Sequence, residues 1–467
     1  MRESGTAARV FELLDQRSFA ELSGDANPLH VDRVAARRSL AGEVVVHGIH
    51  ALLWALDEWI AEREGLVEIE RLDVEFLRPM PVGDCVRVSD AGSGANVAAL
   101  EIQSTDATLA TIACTFASAS GSMSSGVVDE VPPVSSSRPL AADQVRACRG
   151  TLPLMRPATS ARRMFPHLAD KLSARQFAAL LASTRMVGME CPGLHSLFSE
   201  LHLRRAQTPP EGLTYEVRRF DQRFGLTTID VCGGDLSGTV LAFLRPAPQS
   251  QARSADLRQL VAPSEFSGQR ALVVGGSRGL GEVLAKLLAA GGADVLLTYC
   301  SGEEDARAVV ADIVDAGGRA SCARFDVTEP DAARGDFVPT HLYYCATPFI
   351  SAGTAGTFRQ DAFERFREFY VTGFSRTLAR FDNPAMQGVF YPSTVFVDAP
   401  APGMSEYAAA KSEGEAVCAS LEQQRPGLRV VRPRLLRLAT DQTLSVGPSV
   451  RHDPVPVLLA AARTLAA

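Results

Sequence analysis

From Arg270 to Phe325 the apolar pattern alternates strand, helix, strand, helix, strand: Arg270–Val274, Gly279–Ala290, Asp294–Thr298, Glu303–Ala316 and Ala320–Phe325. Short strands separated by helices of this length cannot pair as hairpins, because each helix is a crossover that returns the chain in the same direction. The pattern therefore predicts an α/β, doubly wound parallel sheet. The turn out of the first strand reads Gly275-Gly276-Ser277-Arg278-Gly279-Leu280-Gly281. Glycines there permit a tight turn and let a pyrophosphate approach the N-terminus of the following helix. A strand before the loop and a helix after it raise the loop above a chance cluster of glycines.

The chain upstream follows another rhythm. Ala117 to Arg138 is rich in Ser, Gly and Pro, and Pro246 to Ser267 opens as PAPQSQARSAD, so both read as solvated connectors. They divide the chain into a block at 1–120, a linker at 121–139, a block at 140–247, a linker at 248–266 and a block at 267–467. The first two blocks share a layout. A helical stretch (Gly48 to Ala61) precedes strand-like runs at Glu70–Phe76, Cys85–Ser89, Val97–Gln103 and Leu109–Phe116. A second helical stretch (Ala174 to Val187) precedes Leu197–Leu203, Leu213–Phe220, Gly225–Val231 and Gly238–Leu244. One helix followed by a meander of strands predicts an α+β unit, an antiparallel sheet around a central helix, present twice.

Composition narrows the function classes. The 467 residues are 46% hydrophobic, so ordered cores are expected; about three domains is the usual count at this length. A net charge of −7 carries no footprint for nucleic acid or an anionic membrane. No apolar run reaches the ~20 residues of a membrane span, and the N-terminal residues do not read as a signal peptide. Nine dispersed cysteines without a CxxC pair fit neither a disulfide framework nor a metal centre, and point to a reducing cytoplasm.

The run FAELSGDANPLHVDRVAA places Asp25, Asn27, Pro28 and His30 in one short polar segment. Pro28 prevents a regular helix, so a bent loop can turn Asp25 and His30 into one cavity, where a carboxylate and an imidazole serve as general acid and base. The same residue types also cap ordinary turns, and spacing alone leaves both readings open. The segment F-x-x-L-S-G-D-x-N-P-L-H, followed by Ala36, resembles the hydratase signature of MaoC-like (R)-specific enoyl-CoA hydratases and dehydratases, which have the hot-dog fold. The later VVHGIHALL, with His47 and Gly48, is similar to the start of that family's central helix. The resemblance implies that His30 removes the C2 proton of a 3-hydroxyacyl thioester while Asp25 protonates the departing hydroxyl. It also implies that Asn27 and the helix start at Gly48 meet the substrate, the latter as an oxyanion site. The second block lacks the signature and resembles the non-catalytic half of a double hot-dog. Its segment MVGMECPGLHS, with Glu190, Cys191 and His195, reads as tunnel lining or a structural turn.

In the third block Tyr407 and Lys411 lie four apart in SEYAAAKSEGEA, so they share a helix face and the ammonium can lower the phenol's pKa. With the glycine loop upstream, the block from Ser267 to Gln442 resembles the short-chain dehydrogenase/reductase family. The resemblance implies that Gly275, Ser277, Arg278, Gly279, Leu280 and Gly281 hold the cofactor diphosphate, with Asp326 and Val327 near its adenine. Tyr407 would be the proton donor and Lys411 would hold the nicotinamide ribose. The catalytic hydroxyl falls at Thr394, or at Ser393 if a loop differs by one residue. No acidic residue follows the second strand at Tyr299 or Cys300, while Arg278 sits in the loop, which favours NADPH over NADH. The chain departs from the family at Cys345-Ala346-Thr347-Pro348, where NNAG is usual, at Tyr370, where an Asn is usual, and at Pro433-Arg434, where Pro-Gly is usual.

The expectation is a bifunctional enzyme. Its C-terminal block reduces a 3-oxoacyl thioester with NADPH, and its N-terminal double hot-dog dehydrates the (R)-3-hydroxyacyl product to the trans-2-enoyl thioester. The alternative is an active dehydratase beside a silent or redox-neutral NADP-binding domain. The acyl carrier, coenzyme A or acyl carrier protein, is left open, and a homodimer is a possible assembly.

Overall fold

The structure is a computed structural model that describes residues 7–39, 41–105, 107–119, 126–133, 135–207, 209–329, 336–350, 352–445 and 449–467. It divides into two compact units, Met1–Ala247 with Ser445–Pro448, and Pro248–Leu444 with Ser449–Ala467.

The first unit is a ten-stranded antiparallel sheet in the order β1-β3-β4-β5-β2-β7-β10-β9-β8-β6. The strands are β1 (Ala7–Val10), β2 (Val67–Phe76), β3 (Cys85–Asp90), β4 (Val97–Gln103), β5 (Thr108–Ser118), β6 (Arg149–Leu152), β7 (Ser196–Arg205), β8 (Leu213–Asp221), β9 (Leu226–Gly233) and β10 (Leu236–Leu244). The two expected copies are both present, each a helix followed by four strands in which the first-formed strand pairs with the last. They fuse through β2 and β7, which run antiparallel from Arg71 opposite Arg204 to Glu75 opposite Glu200. The two central helices, Gly48–Ile60 and Ala174–Arg185, are buried almost all round and share one hydrophobic core. A helix enclosed by a sheet has little solvent face, and this explains why most of GIHALLWALDEWI is apolar, with Glu58 exposed and Asp57 bonded to the backbone N–H groups of His167 and Leu168. The second helix runs on into a π-helical turn, Met186–Glu190, where the sequence pattern predicts only a helix end.

The second unit is built on a six-stranded parallel sheet in the order β13-β12-β11-β14-β15-β17. Its strands are β11 (Arg270–Val274), β12 (Asp294–Tyr299), β13 (Arg319–Arg324), β14 (His341–Tyr344), β15 (Gly388–Phe390) and β17 (Arg429–Val431). A small separate pair joins β16 (Ser393–Thr394) to β18 (Arg434–Leu435). The chain reverses its winding between β12 and β14, which flank β11, so the glycine loop after β11 lies at the switch point where such sheets bind ligands. Among the described residues no helix is long and apolar enough to cross a membrane.

The two connectors are more structured than their composition implies. Ala117 and Ser118 finish β5, Val128 bridges to Met155, and Pro139 bridges to Gly193. Downstream, Leu257, Val261 and Phe266 are buried in the core of the second unit, and Ser254 bonds the Asp312 carboxylate. Single apolar anchors this far apart carry no period, so composition alone reads them as loop.

Candidate active sites

The first site is assembled on the loop between two short helical elements. The helix Leu13–Ser23 ends on Gly24, whose φ of 76° turns the chain sharply. Asn27 then caps the turn Pro28–Val31 by accepting the Leu29 N–H at 3.1 Å. The loop thereby aims Asp25 and His30 into a cleft of about 880 Å³, its mouth included, whose walls also carry Gly48, Phe76, Thr184, Gly188 and Phe198.

Asp25 is 2% exposed. Its Oδ2 accepts the Thr184 hydroxyl at 2.6 Å and its Oδ1 the Asn27 backbone N–H at 3.2 Å. Burial raises its pKa to about 6, and these two donors hold it from rising further. His30 presents Nδ1 to the Val45 carbonyl at 2.8 Å. A carbonyl can only accept, so Nδ1 carries the proton and Nε2 keeps its lone pair as a base. Burial lowers the pKa of His30 to about 4, so the ring is neutral near pH 7. When the pair carries one proton it therefore sits on Asp25 and not on His30, the arrangement needed for an acid and a base acting together, and that proton is lost as pH rises through about 6.

His47 stacks on His30, with centroids 3.9 Å apart and planes at 25°. It is fully buried, with Nε2 2.9 Å from the Asp25 carbonyl and Nδ1 2.9 Å from Gln16 Oε1. Burial, with help from the His30 ring, holds its pKa well below the usual value. Asp25, His30 and His47 bring possible ligand atoms within 4.8 Å of one another, yet carbonyl oxygens face His47 Nε2 and His30 Nδ1, which suits proton transfer rather than metal ligation. The helix Gly48–Ile60 starts beside this group without a side-chain cap, and Gly48 lines the cleft.

Two expectations change. Asn27, expected to meet the substrate, has both ends of its amide bonded within the protein: its Oδ1 accepts from Leu29 in its own loop, and its Nδ2 donates to the Gly188 carbonyl at 3.0 Å, tying the loop to the second half. That half is also not a bystander, because it supplies Thr184. Gly188 lies so close to the acid that a Cβ there would stand 2.1 Å from Asp25 Oδ1. The Ser137 hydroxyl donates to the Gly188 carbonyl at 2.7 Å, and Arg245 Nε to the Ser196 carbonyl at 3.0 Å, which fix the segment from below. No short motif marks Thr184; the one sequence signal was the glycine in MVGMECPGLHS.

The second site lies on the parallel sheet. Gly275 and Gly279 have φ of 77° and 58°, and a Cβ at Gly281 would stand 2.3 Å from the Gly275 carbonyl oxygen. The loop is thus packed directly against the helix Gly279–Ala290, whose N-terminus has no side-chain cap and presents free amides. This cradle fits a dinucleotide diphosphate. Ser277 is buried and Leu280 packs on the core. Arg278 is drawn into an ion pair, Nη1 3.6 Å from Asp441 Oδ2, rather than standing ready for a phosphate. Asp326 ties two strand ends together by accepting from Thr328 N–H at 2.9 Å and from the Cys300 thiol at 2.9 Å; Val327 is buried beside it.

Tyr407 and Lys411 share one face of the helix Ser405–Gln424. The hydroxyl partner of Tyr407 is Thr394. Ser393 instead donates to Glu415 Oε1 at 2.5 Å, so of the two hydroxyls left open by the spacing Thr394 is the one bonded to Tyr407. Burial raises the Tyr407 phenol to about 12 and lowers the Lys411 ammonium to about 7. The lowering of the phenol expected from Lys411 is not found: burial raises the phenol, and the Thr394 hydroxyl is what opposes it. Tyr370 sits on a π-helical turn, Glu368–Gly373, its hydroxyl 2.5 Å from that of Thr347.

Residues 9–113 match the MaoC like domain family, and residues 269–337 match the short chain dehydrogenase family. An uncharacterized oxidoreductase of Methylorubrum extorquens is 43% identical over 72 residues, 15% of this chain and 29% of that protein. 3beta-hydroxysteroid dehydrogenase 1 of Eggerthella lenta is 29% identical over 160 residues, 32% of this chain and 61% of that protein. This chain thus spans less than two thirds of the length of either relative. Among solved structures, a short chain dehydrogenase from Burkholderia cenocepacia in complex with NADP is 25% identical, covering 43% of this chain and 91% of that one, with a TM-score of 0.38. The chain joins a MaoC-like dehydratase domain to a short-chain dehydrogenase domain.

Proposed function

We propose that the protein acts on β-carbon intermediates of an acyl thioester, reducing a 3-oxoacyl group in the second unit and dehydrating the (R)-3-hydroxyacyl product in the first. The observation that carries the reading is the cleft in which Asp25 takes up a proton below about pH 6 while His30 Nε2 keeps a lone pair, both beside the uncapped helix start at Gly48. His30 Nε2 takes the C2 proton; the C3–O bond breaks as Asp25 gives its proton to the departing hydroxyl, which leaves as water. The Gly48 amides stabilise negative charge on the thioester oxygen while C2 is losing its proton.

In the second unit NADPH, when bound, supplies the hydride. Tyr407 gives its phenolic proton to the carbonyl oxygen, Thr394 orients that oxygen, and Lys411 orients the ribose. The absence of a carboxylate at Tyr299 and Cys300 supports NADPH over NADH, while the Arg278–Asp441 pair weakens one argument for that choice. The carrier is an acyl carrier protein or coenzyme A, and the cytoplasm is the compartment in which the reduction has its NADPH.

A second reading keeps the dehydratase and makes the second unit a module without turnover. It is favoured by Tyr370 and by the high pKa of Tyr407. Incubation of the full chain with NADPH and a 3-oxoacyl thioester separates the two. The proposal expects NADPH consumption that vanishes in Tyr407→Phe, and enoyl product that vanishes in Asp25→Ala and in His30→Ala. Enoyl formation from a supplied 3-hydroxyacyl thioester, with no NADPH consumption when the 3-oxoacyl thioester is supplied, supports the module instead, and persistence of dehydration in either first-unit variant sinks the assignment of that pair.

A further inference from the structure

Lys411 is 5% exposed, and among the described residues its hydrogen bond goes to the Pro392 carbonyl at 2.6 Å. Two aromatic rings also face the ammonium. Nζ lies 3.9 Å from the ring centroid of Tyr370 and 4.8 Å from that of Tyr391. Neither ring is a casual neighbour. Tyr370 is carried inward by a π-helical turn, a device that adds one residue to a helix and recurs at functional positions. Its hydroxyl is held by Thr347 at 2.5 Å, and its ring stacks on Phe366 with planes at 10°. The Tyr391 hydroxyl donates to the Tyr370 carbonyl at 3.2 Å, and it fits only because residue 414 is glycine: a Cβ there would stand 1.9 Å from that oxygen. The nearest carboxylate along the helix, Glu415, is spent on Ser393 and Arg434.

An ammonium removed from water recovers part of its lost solvation from the negative faces of aromatic rings, most strongly when the site is dry. We propose that Tyr370 and Tyr391 form an aromatic cage that holds the Lys411 ammonium in place, making Tyr370 a positioning residue of the reductase site rather than an inactivating replacement. The inference rests on the reading of the second unit as a nucleotide-binding reductase. It explains how the unit can dispense with an amide at position 370: the cation is held by ring faces instead of a hydrogen-bonded relay. The groups that face Lys411 are Glu415 and Cys418 from its own helix, Cys345 after β14, Tyr370 from the π-helical turn and Tyr391 after β15. Burial already lowers the lysine's pKa to about 7, so removal of a ring shifts its loss of charge to lower pH.

The test is equilibrium binding of NADPH to the full chain, followed by nucleotide fluorescence across a pH series, for wild type, Lys411→Ala, Tyr370→Phe, Tyr370→Leu and Tyr370→Asn. Tyr370→Phe keeps the ring, and is expected to bind within about threefold of wild type with the same pH dependence. Tyr370→Leu and Tyr370→Asn are expected to bind about 10- to 30-fold more weakly, with the fall in affinity moved to lower pH. Equal binding by the Phe and Leu variants, or binding by the Asn variant as tight as wild type, overturns the cage. Should the Leu variant not fold, the comparison of Asn with Phe decides alone. Wild type and Lys411→Ala binding alike at every pH also defeats the inference. Absence of NADPH oxidation in the wild type, by contrast, defeats the reductase reading and leaves the binding comparison intact.

Discussion

Thr184→Val removes a hydroxyl from Asp25 while preserving the shape of the side chain. The bond it deletes is 2.6 Å long, between groups that are both nearly inaccessible to water. A hydrogen bond to an ionised acceptor contributes about 1.5–3 kcal/mol. At 1.36 kcal/mol per pKa unit this corresponds to about 1–2 units. The bond favours the carboxylate, so its loss raises the pKa of Asp25 from about 6 towards about 7–8. Dehydration needs Asp25 protonated and His30 neutral, so kcat/KM for the wild type is expected to be bell-shaped, with limbs near 4 and 6. In the variant the acid limb stays and the alkaline limb moves up. At pH 7.5 the protonated fraction of Asp25 rises from about 3% to between about 25% and 75%. A weaker acid transfers its proton more slowly, so the plateau rate is expected to fall while the profile broadens.

Stability gives a second readout with a fixed sign. The folded pKa of Asp25 lies above its unfolded value, so the folded state holds its proton longer and stability declines as pH rises from about 4 through about 6. Thr184→Val extends that decline: the variant is expected to match wild type near pH 5 and to be less stable by about 1.5–3 kcal/mol above pH 8. The assays are initial rates of enoyl-thioester formation and thermal melts, each across pH. An alkaline limb that stays put while activity is lost would falsify the electrostatic account, as would a stability deficit independent of pH.

Two further outcomes follow from other parts of the molecule. Gly281→Ala places a methyl group 2.3 Å from the Gly275 carbonyl, where backbone must move, so NADPH affinity is expected to fall at least about tenfold with dehydration untouched; unchanged nucleotide binding contradicts the packing argument. At the seam of the sheet His202 sits between Glu200 and Asp73, at 3.0 and 2.9 Å. Burial opposes its charge, but the two carboxylates prevail and raise its pKa above the usual value. Its stabilising contribution is therefore complete below about pH 6.5 and is lost as pH climbs through the raised pKa. The difference in melting temperature between wild type and His202→Gln should shrink towards alkaline pH, and a constant difference refutes the ion-pair account.

The period of the apolar residues made both sheets legible, because each strand and central helix buries a face and must advertise it. The Asp25–His30 loop was legible as well, since a proline, a left-handed glycine and capping side chains leave local marks. What the sequence could not display is what crosses between distant segments. Thr184 reads as an ordinary helical threonine, and the double use of Asn27 depends on carbonyls at Gly188 and Leu194 that no local pattern encodes. The choice of Thr394 over Ser393 turned on Glu415, a helix away. The connectors hid their anchors because single buried residues have no rhythm. Tyr370 was visible as a departure, and its neighbours give it a purpose that a one-dimensional comparison would count as a loss.

The π-helical turn at Met186–Glu190 gives the duplicated fold a history that cannot be undone. By pressing Gly188 against Asp25, the second copy has surrendered its independence and become a wall of the first copy's site. The halves are no longer interchangeable modules: neither can be excised, swapped or allowed to drift alone, since a change near residue 188 is felt at a carboxylate more than 150 positions earlier in the chain. The two halves contribute unequally to one cleft: the first carries Asp25 and His30, and the second supplies the Thr184 hydroxyl that bears on how strongly Asp25 holds a proton.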